Sequence, residues 1–178
     1  MIKIFGIFKD LEKIQNRVAL VKLQKKNDIS YEVECQTSDL VNNENMVLEI
    51  LIDEHKTIIL FQDMHGISDF DEFSIDVRLR VITSKGVIIP DPKLYASIRQ
   101  DNIQIVDIAI FGKNQNNGYG SILINKLKEI ALNKNISKIT GNLSSVDSGH
   151  IDRQNHFYKK NGLEVNESTG LIELTLKQ

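Results

Sequence analysis

The junction that most constrains this chain lies in its second half. The run IQIVDIAIF at 103–111 is followed by a loop ending QNNGYG, and then by SILINKLKEIAL. Apolar residues fill both alternating sets of the run except at Gln104 and Asp107. That pattern predicts a central strand covered on both faces. After the loop, Ile122 or Leu123, Leu127, Ile130 and Ala131 recur at helical spacing. A plain turn needs one glycine, yet Gly118 and Gly120 flank Tyr119 where strand gives way to helix. Helix N-termini carry unsatisfied N–H groups and a partial positive charge, which suits phosphates. Side chains there would hold a phosphate away, and glycine removes them. The junction therefore predicts a main-chain cradle for a diphosphate, with a loop that merely turns the chain as the alternative. A Walker loop would end in Gly-Lys-Ser/Thr, whereas Ser121 and Ile122 follow the second glycine here. A dinucleotide fingerprint would add a third glycine, which is missing.

Upstream, the chain reads as strands separated by polar breaks. RVALVKL at 17–23, YEVEC at 31–35, MVLEILI at 46–52 and TIILF at 57–61 are short and rich in β-branched residues. The last two suggest a hairpin closed at DEHK. In FSIDVRLRVI, Phe73, Ile75, Val77, Leu79 and Val81 alternate with Ser74, Asp76, Arg78 and Arg80, predicting a strand with one face buried. DPKLYASIRQ predicts a helix with Asp91 as N-cap and Pro92 in the first helical position. Beyond the glycine loop and its helix, ISKITGNL predicts a strand. IDRQNHFYKKNG predicts a helix capped by Asn161 and Gly162, and LEV with LIELTL predicts a closing pair of strands.

A length of 178 residues suits one domain with a real core. A formal charge of -2 makes nucleic acid an unexpected partner. Cys35 is the single cysteine, so no internal disulfide forms, and no histidine pair has metal spacing. His150 and His156 stand too isolated to suggest otherwise, so no metal is expected. The start is apolar only in short bursts broken by Lys3 and Lys9, and no run approaches a membrane span. A cytoplasmic protein without a membrane partner is the expectation.

The segment IVDIAIFGKNQNNGYGSILINKLKEIA resembles the acetyl-CoA-binding segment of the GCN5-related N-acetyltransferases. That family carries Gln/Arg-x-x-Gly-x-Gly/Ala after a buried strand, and Gln115, Gly118 and Gly120 fill the pattern. Further on, HFYKKNGLEV resembles the family's aromatic-Tyr-x-x-x-Gly-Phe stretch through Phe157, Tyr158 and Gly162. Leu163 stands where Phe is usual, Asn116 and Asn117 replace Gly or Arg and Lys, and Ile151 and Gln154 stand at the family's Asn-x-x-Ala. The neutral loop leaves charge to the amides and to nearby Lys113. The resemblance implies an α+β (α/β) chain with the acyl-CoA N-acyltransferase fold. That fold has a mixed, mostly antiparallel central sheet with splayed parallel strands, flanked by helices. It further implies one domain over 1–178, with a strand-rich acceptor half at 1–100 and an acetyl-CoA half at 101–178.

The implied activity is direct transfer of an acetyl group from acetyl-CoA (coenzyme A as carrier) to a primary amine, small molecule or peptide, in a ternary complex. A non-catalytic acyl-CoA-binding or interaction module with the same fold is the alternative, and a homodimer stays open. The implied contacts to the pantetheine arm are the strand edge at Ile108, Ala109 and Ile110. For the diphosphate they are Gln115, Asn116, Asn117, Gly118, Tyr119, Gly120 and Ser121. An alkylamine has a pKa near ~10, so transfer needs a base. Asp107, a carboxylate in an apolar strand, is the candidate, with a raised pKa expected from burial. The alternative is an aspartate bonded to a loop or facing solvent where the strands splay. Tyr158 matches the family's general acid, with packing on the core as its alternative. Cys35 reads as a half-buried strand thiol. Asp69, Asp71 and Glu72 could draw a cationic amine but read first as a solvated loop.

Overall fold

The computed structural model describes residues 29–64, 73–144 and 150–176. The elements are α1 (Ile29–Asn42), β1 (Met46–Ile52), β2 (Lys56–Gln62), β3 (Ser74–Thr83), β4 (Gly86–Ile88), β5 (Lys93–Arg99) and β6 (Asn102–Ala109). A 3-10 turn (Gly112–Asn114) follows, then α2 (Tyr119–Asn133), β7 (Lys138–Asn142), α3 (Ile151–Lys160), β8 (Glu164–Val165) and β9 (Leu171–Thr175). They build one mixed sheet of 9 strands in the order β1-β2-β3-β5-β6-β7-β9-β8, with β4 on the flank of β3. Every pairing is antiparallel except β6 with β7. This is the expected arrangement, a mostly antiparallel sheet flanked by helices.

Side-chain parity divides the sheet into two faces. On one, Ile58, Leu60, Ile75, Val77, Leu79, Leu94 and Ala96 meet Leu123, Ile124, Leu127 and Ala131 of α2 in the main core. On the other, Ile59, Phe61 and Ile82 meet Leu40 of α1 in a smaller cluster. The hairpin of β1 and β2 and the alternation of β3 stand as expected, except that Phe73 is 57% exposed. The predicted strand at 17–23 and the acidic run with Asp69, Asp71 and Glu72 lie outside the described residues. Among the described residues no helix is long and apolar enough to cross a membrane.

Three expectations are corrected. YEVEC is helical, inside α1. Its Tyr31 and Val33 suggested a strand, but Ile29, Val33 and Leu40 fall near one side of a helix and cover the second cluster. Cys35 is accordingly a half-buried helical thiol. DPKLYASIRQ is not a helix but holds β5. Asp91 caps nothing; its carboxylate pairs with Arg80 at 2.9 Å, and the Pro92 carbonyl accepts the Leu79 N–H. Leu94 and Ala96 alternate into the core, a period of two that overrides the capping signal.

The third correction concerns 103–111. The strand is covered on one face, not two. Ala96 pairs with Ile105 and Tyr95 with Asp107, so Val106 is an extra, unpaired residue: a β-bulge. The bulge reverses the phase of the strand. Ile103 and Ile105 before it and Ile108 and Ile110 after it all reach the same core. Val106 itself is 57% exposed, and Asp107 is exposed too. Apolar residues in both alternating sets thus record a phase switch.

Candidate functional site

Parallel pairing of β6 with β7 covers only Asn102 with Lys138, Ile103 with Ile139 and Gln104 with Thr140. The closed end is tied by the Asn102 side chain donating to Thr140 Oγ1 at 2.8 Å. Beyond it, among the described residues, β7 pairs with β9 alone and β6 with β5 alone, so the two strands part. A bulge sharpens local twist and bend, and Val106 sits where the gap opens. Between the strands lies a cleft of about 770 Å³, bounded by β6, the glycine loop, the end of β7 and α3. From Ile105 onward the edge of β6 that faces the gap has no neighbouring strand among the described residues.

The loop at the head of α2 is shaped by its own side chains. Gln115 Nε2 donates to the Ile110 carbonyl at 3.2 Å, and Asn117 Nδ2 donates to the carbonyls of Lys113 at 3.1 Å and Gln115 at 3.3 Å. Asn116 and Gly118 adopt left-handed conformations, with φ of 62° and 80°. Ser121 and Ile122 donate to the Gly118 carbonyl, and α2 has no side-chain cap. Among the described residues, the N–H groups of Tyr119 and Gly120 have no partner, as expected for the first turn of an uncapped helix. Those donors are at the cleft.

The two glycines do different work. A Cβ at Gly118 would meet nothing within 4 Å, so that position leaves open space at the head of α2 and supplies the left-handed turn. A Cβ at Gly120 would stand 2.7 Å from Cε2 of Phe157 and 3.3 Å from Cδ1 of Ile110. Gly120 therefore lets α2 and α3 approach, a packing role where the sequence suggests phosphate access. Tyr119 differs from expectation as well. Its side chain is buried in the core beneath Lys56, whose Nζ lies 5.1 Å from the ring, and burial raises its pKa.

Tyr158 and Asp107 both line the cleft, from α3 and β6. Burial, and then the nearby Asp107 carboxylate, push the Tyr158 phenol up to about 12. The last turn of α3 is fixed by a Schellman cap: Leu163 N–H donates to the Tyr158 carbonyl and Gly162 N–H to that of Lys159, with Gly162 at φ 81°. Phe157 meets the Tyr158 ring edge-on at 5.0 Å. Asp107 is exposed where the strands part, not buried as its place in an apolar run suggests.

Of the expected contacts, Ile108, Ile110, Gln115, Asn116, Gly118, Tyr119, Gly120 and Ser121 border the cleft, whereas Ala109 and Asn117 do not. Lys113 is exposed and does not border it either. Its place is taken by residues not expected from the sequence: Arg153, His156 and Lys160, all of α3 and all bordering the cleft. Spacings of three and four put them on one helical stripe, a pattern legible once the helix is recognised. Arg153 Nη1 lies 3.4 Å from Gln115 Oε1. Gln154, at the site of the absent Asn-x-x-Ala, instead grips the Ser144 backbone, accepting from its N–H at 2.8 Å and donating to its carbonyl at 3.2 Å. Among the described residues no cluster of His, Cys, Asp or Glu is suited to a metal ion.

No protein-family model matches the chain. The uncharacterized protein YocC of Bacillus subtilis (strain 168) is 43% identical over 72 residues, 40% of this chain and 42% of that protein, so the match spans less than half of the relative. Similar solved structures include the PaiA N-acetyltransferase of Thermoplasma acidophilum in complex with coenzyme A, at 16% identity and a TM-score of 0.46, covering 61% of this chain and 65% of that one. The ribosomal-protein-S18-alanine N-acetyltransferase of Escherichia coli gives 11% and 0.43, covering 60% and 72%. A Bacillus subtilis acetyltransferase in complex with CoA gives 15% and 0.43, covering 66% and 86%.

Proposed function

We propose that this chain, whose fold is that of the acyl-CoA N-acyltransferases, moves an acetyl group from acetyl-CoA to a primary amine by direct transfer. One observation carries the reading. A strand edge left open by the parting of β6 and β7 leads from the bare amides of α2 to Asp107 and Tyr158 within one cleft.

The cleft fits the cofactor at both ends. Tyr119 and Gly120 N–H suit a diphosphate, and the clear space at Gly118 admits it. Arg153 supplies the charge that Asn116 and Asn117 lack. The open backbone of β6 beyond Ile105 can pair with the amides of a pantetheine arm, as an added strand would. When bound, acetyl-CoA would supply the acetyl group as a thioester. Asp107 takes the proton that an ammonium must lose before it can attack, directly or through a water. Tyr158 stays protonated through the neutral range, because its pKa is about 12. It is therefore a proton donor for the departing sulfur and not a base. The products are an amide and a free thiol.

A non-catalytic acyl-CoA-binding module would share the cradle, and the neutral Asn116 and Asn117 favour it. Thiol release from acetyl-CoA, measured against a panel of amines, separates the two. Transfer predicts release that needs an amine and falls roughly 10²-fold or more in Tyr158→Phe, the usual range for a lost acid. Binding in calorimetry with no release under any amine would establish the module instead.

A further inference from the structure

Building on the transfer reading, we infer that the acceptor is a primary amine bearing an anionic group, held by Lys93. The helices α2 and α3 pack on the main-core side of the sheet, while the cleft between the strands also reaches Val106 and Asp107 on the other face, so an amine meets the thioester from that opposite face. Strand register fixes what that face presents. Asp76, Tyr95 and Asp107 form one cross-strand row, and Arg78, Lys93 and Ala109 form the next. Lys93 is the diagonal neighbour of Asp107, so their Cα atoms lie about 7–8 Å apart. Ala109, the partner of Lys93 on β6, adds only a methyl group beside them.

The second row opens on a recess of about 710 Å³ that Lys93 lines together with Arg78, Arg80, Ile89 and Phe111. Its two arginines are already neutralised. Arg78 pairs with Asp63 at 2.6 Å and Asp76 at 2.8 Å, and Arg80 with Asp91 at 2.9 Å. Lys93 is half-buried and, among the described residues, has no acidic partner. Asp39, which also lines the recess and has no ion pair among the described residues, is exposed on α1. Ile89 at 80% exposure and Phe111 at 51% give the recess an apolar rim. An ammonium at Asp107, a short aliphatic chain past Ala109 and the rim, and a carboxylate at Lys93 match these groups in order. The acceptor class is thus a short aliphatic aminocarboxylate, or a peptide amine with an acidic group at that spacing.

The test compares linear ω-amino acids of increasing chain length with their neutral carboxamides as acceptors, reading kcat/KM from thiol release. The proposal expects the best acid to exceed its amide at least tenfold. Lys93→Met should bring that ratio close to one and Lys93→Arg should restore part of it, with acetyl-CoA affinity unmoved in both. Turnover with equal rates for acids and amides overturns the inference and leaves acetyl transfer standing. A preference that survives Lys93→Met removes Lys93 from the role and overturns it too. Bound acetyl-CoA with no turnover on any amine overturns the transfer reading, and this inference with it.

Discussion

The two sides of the gap between β6 and β7 are built from different material. On the α2 side the groups on offer are mainly backbone, the bare N–H groups of Tyr119 and Gly120 and the open edge of β6, with Arg153 of α3 beside them. On the opposite side they are side chains from two strands, Asp107 on β6 and Lys93 on β5, brought together by register. A site made of backbone must be uncovered, so it leaves glycines close together in the chain. One made of side chains across a sheet has no local spacing, because its members are separated by whole strands and turns.

The sharpest way to break this contrast is at Gly118. A Cβ placed there finds nothing within 4 Å, so Gly118→Val meets no protein atom at its branch point; it strains the φ of 80° and fills the mouth of the cradle. Acetyl-CoA affinity should fall roughly tenfold to a hundredfold, about 1.4–2.7 kcal/mol. Calorimetric titration of acetyl-CoA reads it, and the preference among acceptors at Lys93 should not change. Unchanged affinity would mean that the amides of α2 do not hold the diphosphate.

Gly120 tests the same loop from its packed side. Its Cβ would collide with the Phe157 ring at 2.7 Å, so Gly120→Ala forces α3 away from α2 or turns the ring. Overpacking of this kind costs about 1–3 kcal/mol, a drop in Tm of roughly 2–4 °C per kcal/mol in a chain of this size. A thermal melt without ligand shows it. Full stability in Gly120→Ala would mean that the second glycine is kept for the ligand alone.

This division between the glycines explains how far the sequence could be read. The strand, loop and helix at 103–133 and the end of the helix at 151–160 were legible because the glycine loop, the helix stripe of Leu127 and Ala131 and the Asn161–Gly162 cap are all local signals. The bulge was visible only as apolarity in both phases, which full coverage would produce equally well. Asp91 and Pro92 carry a correct capping pattern, but Asp91 is taken by Arg80, eleven residues away in sequence, and a pairing across strands leaves no trace in a local window. In α1 the β-branched Ile29 and Val33 serve a helix because the second face of the sheet needs cover there. Arg153, His156 and Lys160 could have been found from helical spacing alone. The row that joins Asp107 to Tyr95, and Lys93 to Ala109 beside it, required the register.

The smallest expected effect lies where the two sides touch, at Tyr158 and Asp107. In the folded chain the phenol titrates near 12 instead of the ordinary 10, held neutral by burial and by the Asp107 charge. Between those values the native state keeps a proton that the unfolded chain gives up. Stability from this group is therefore fully present below pH 10 and is lost as pH rises through 12. Tm measured from about pH 9 to about pH 11.5 should fall more steeply in wild type than in Tyr158→Phe, which has no phenol to ionise. Asp107→Asn should lessen the wild-type slope by less than Tyr158→Phe does, because burial is the larger cause and the carboxylate the smaller. Parallel slopes in wild type and Tyr158→Phe would show that the phenol is solvated in the folded chain, and that the cleft does not hold its proton.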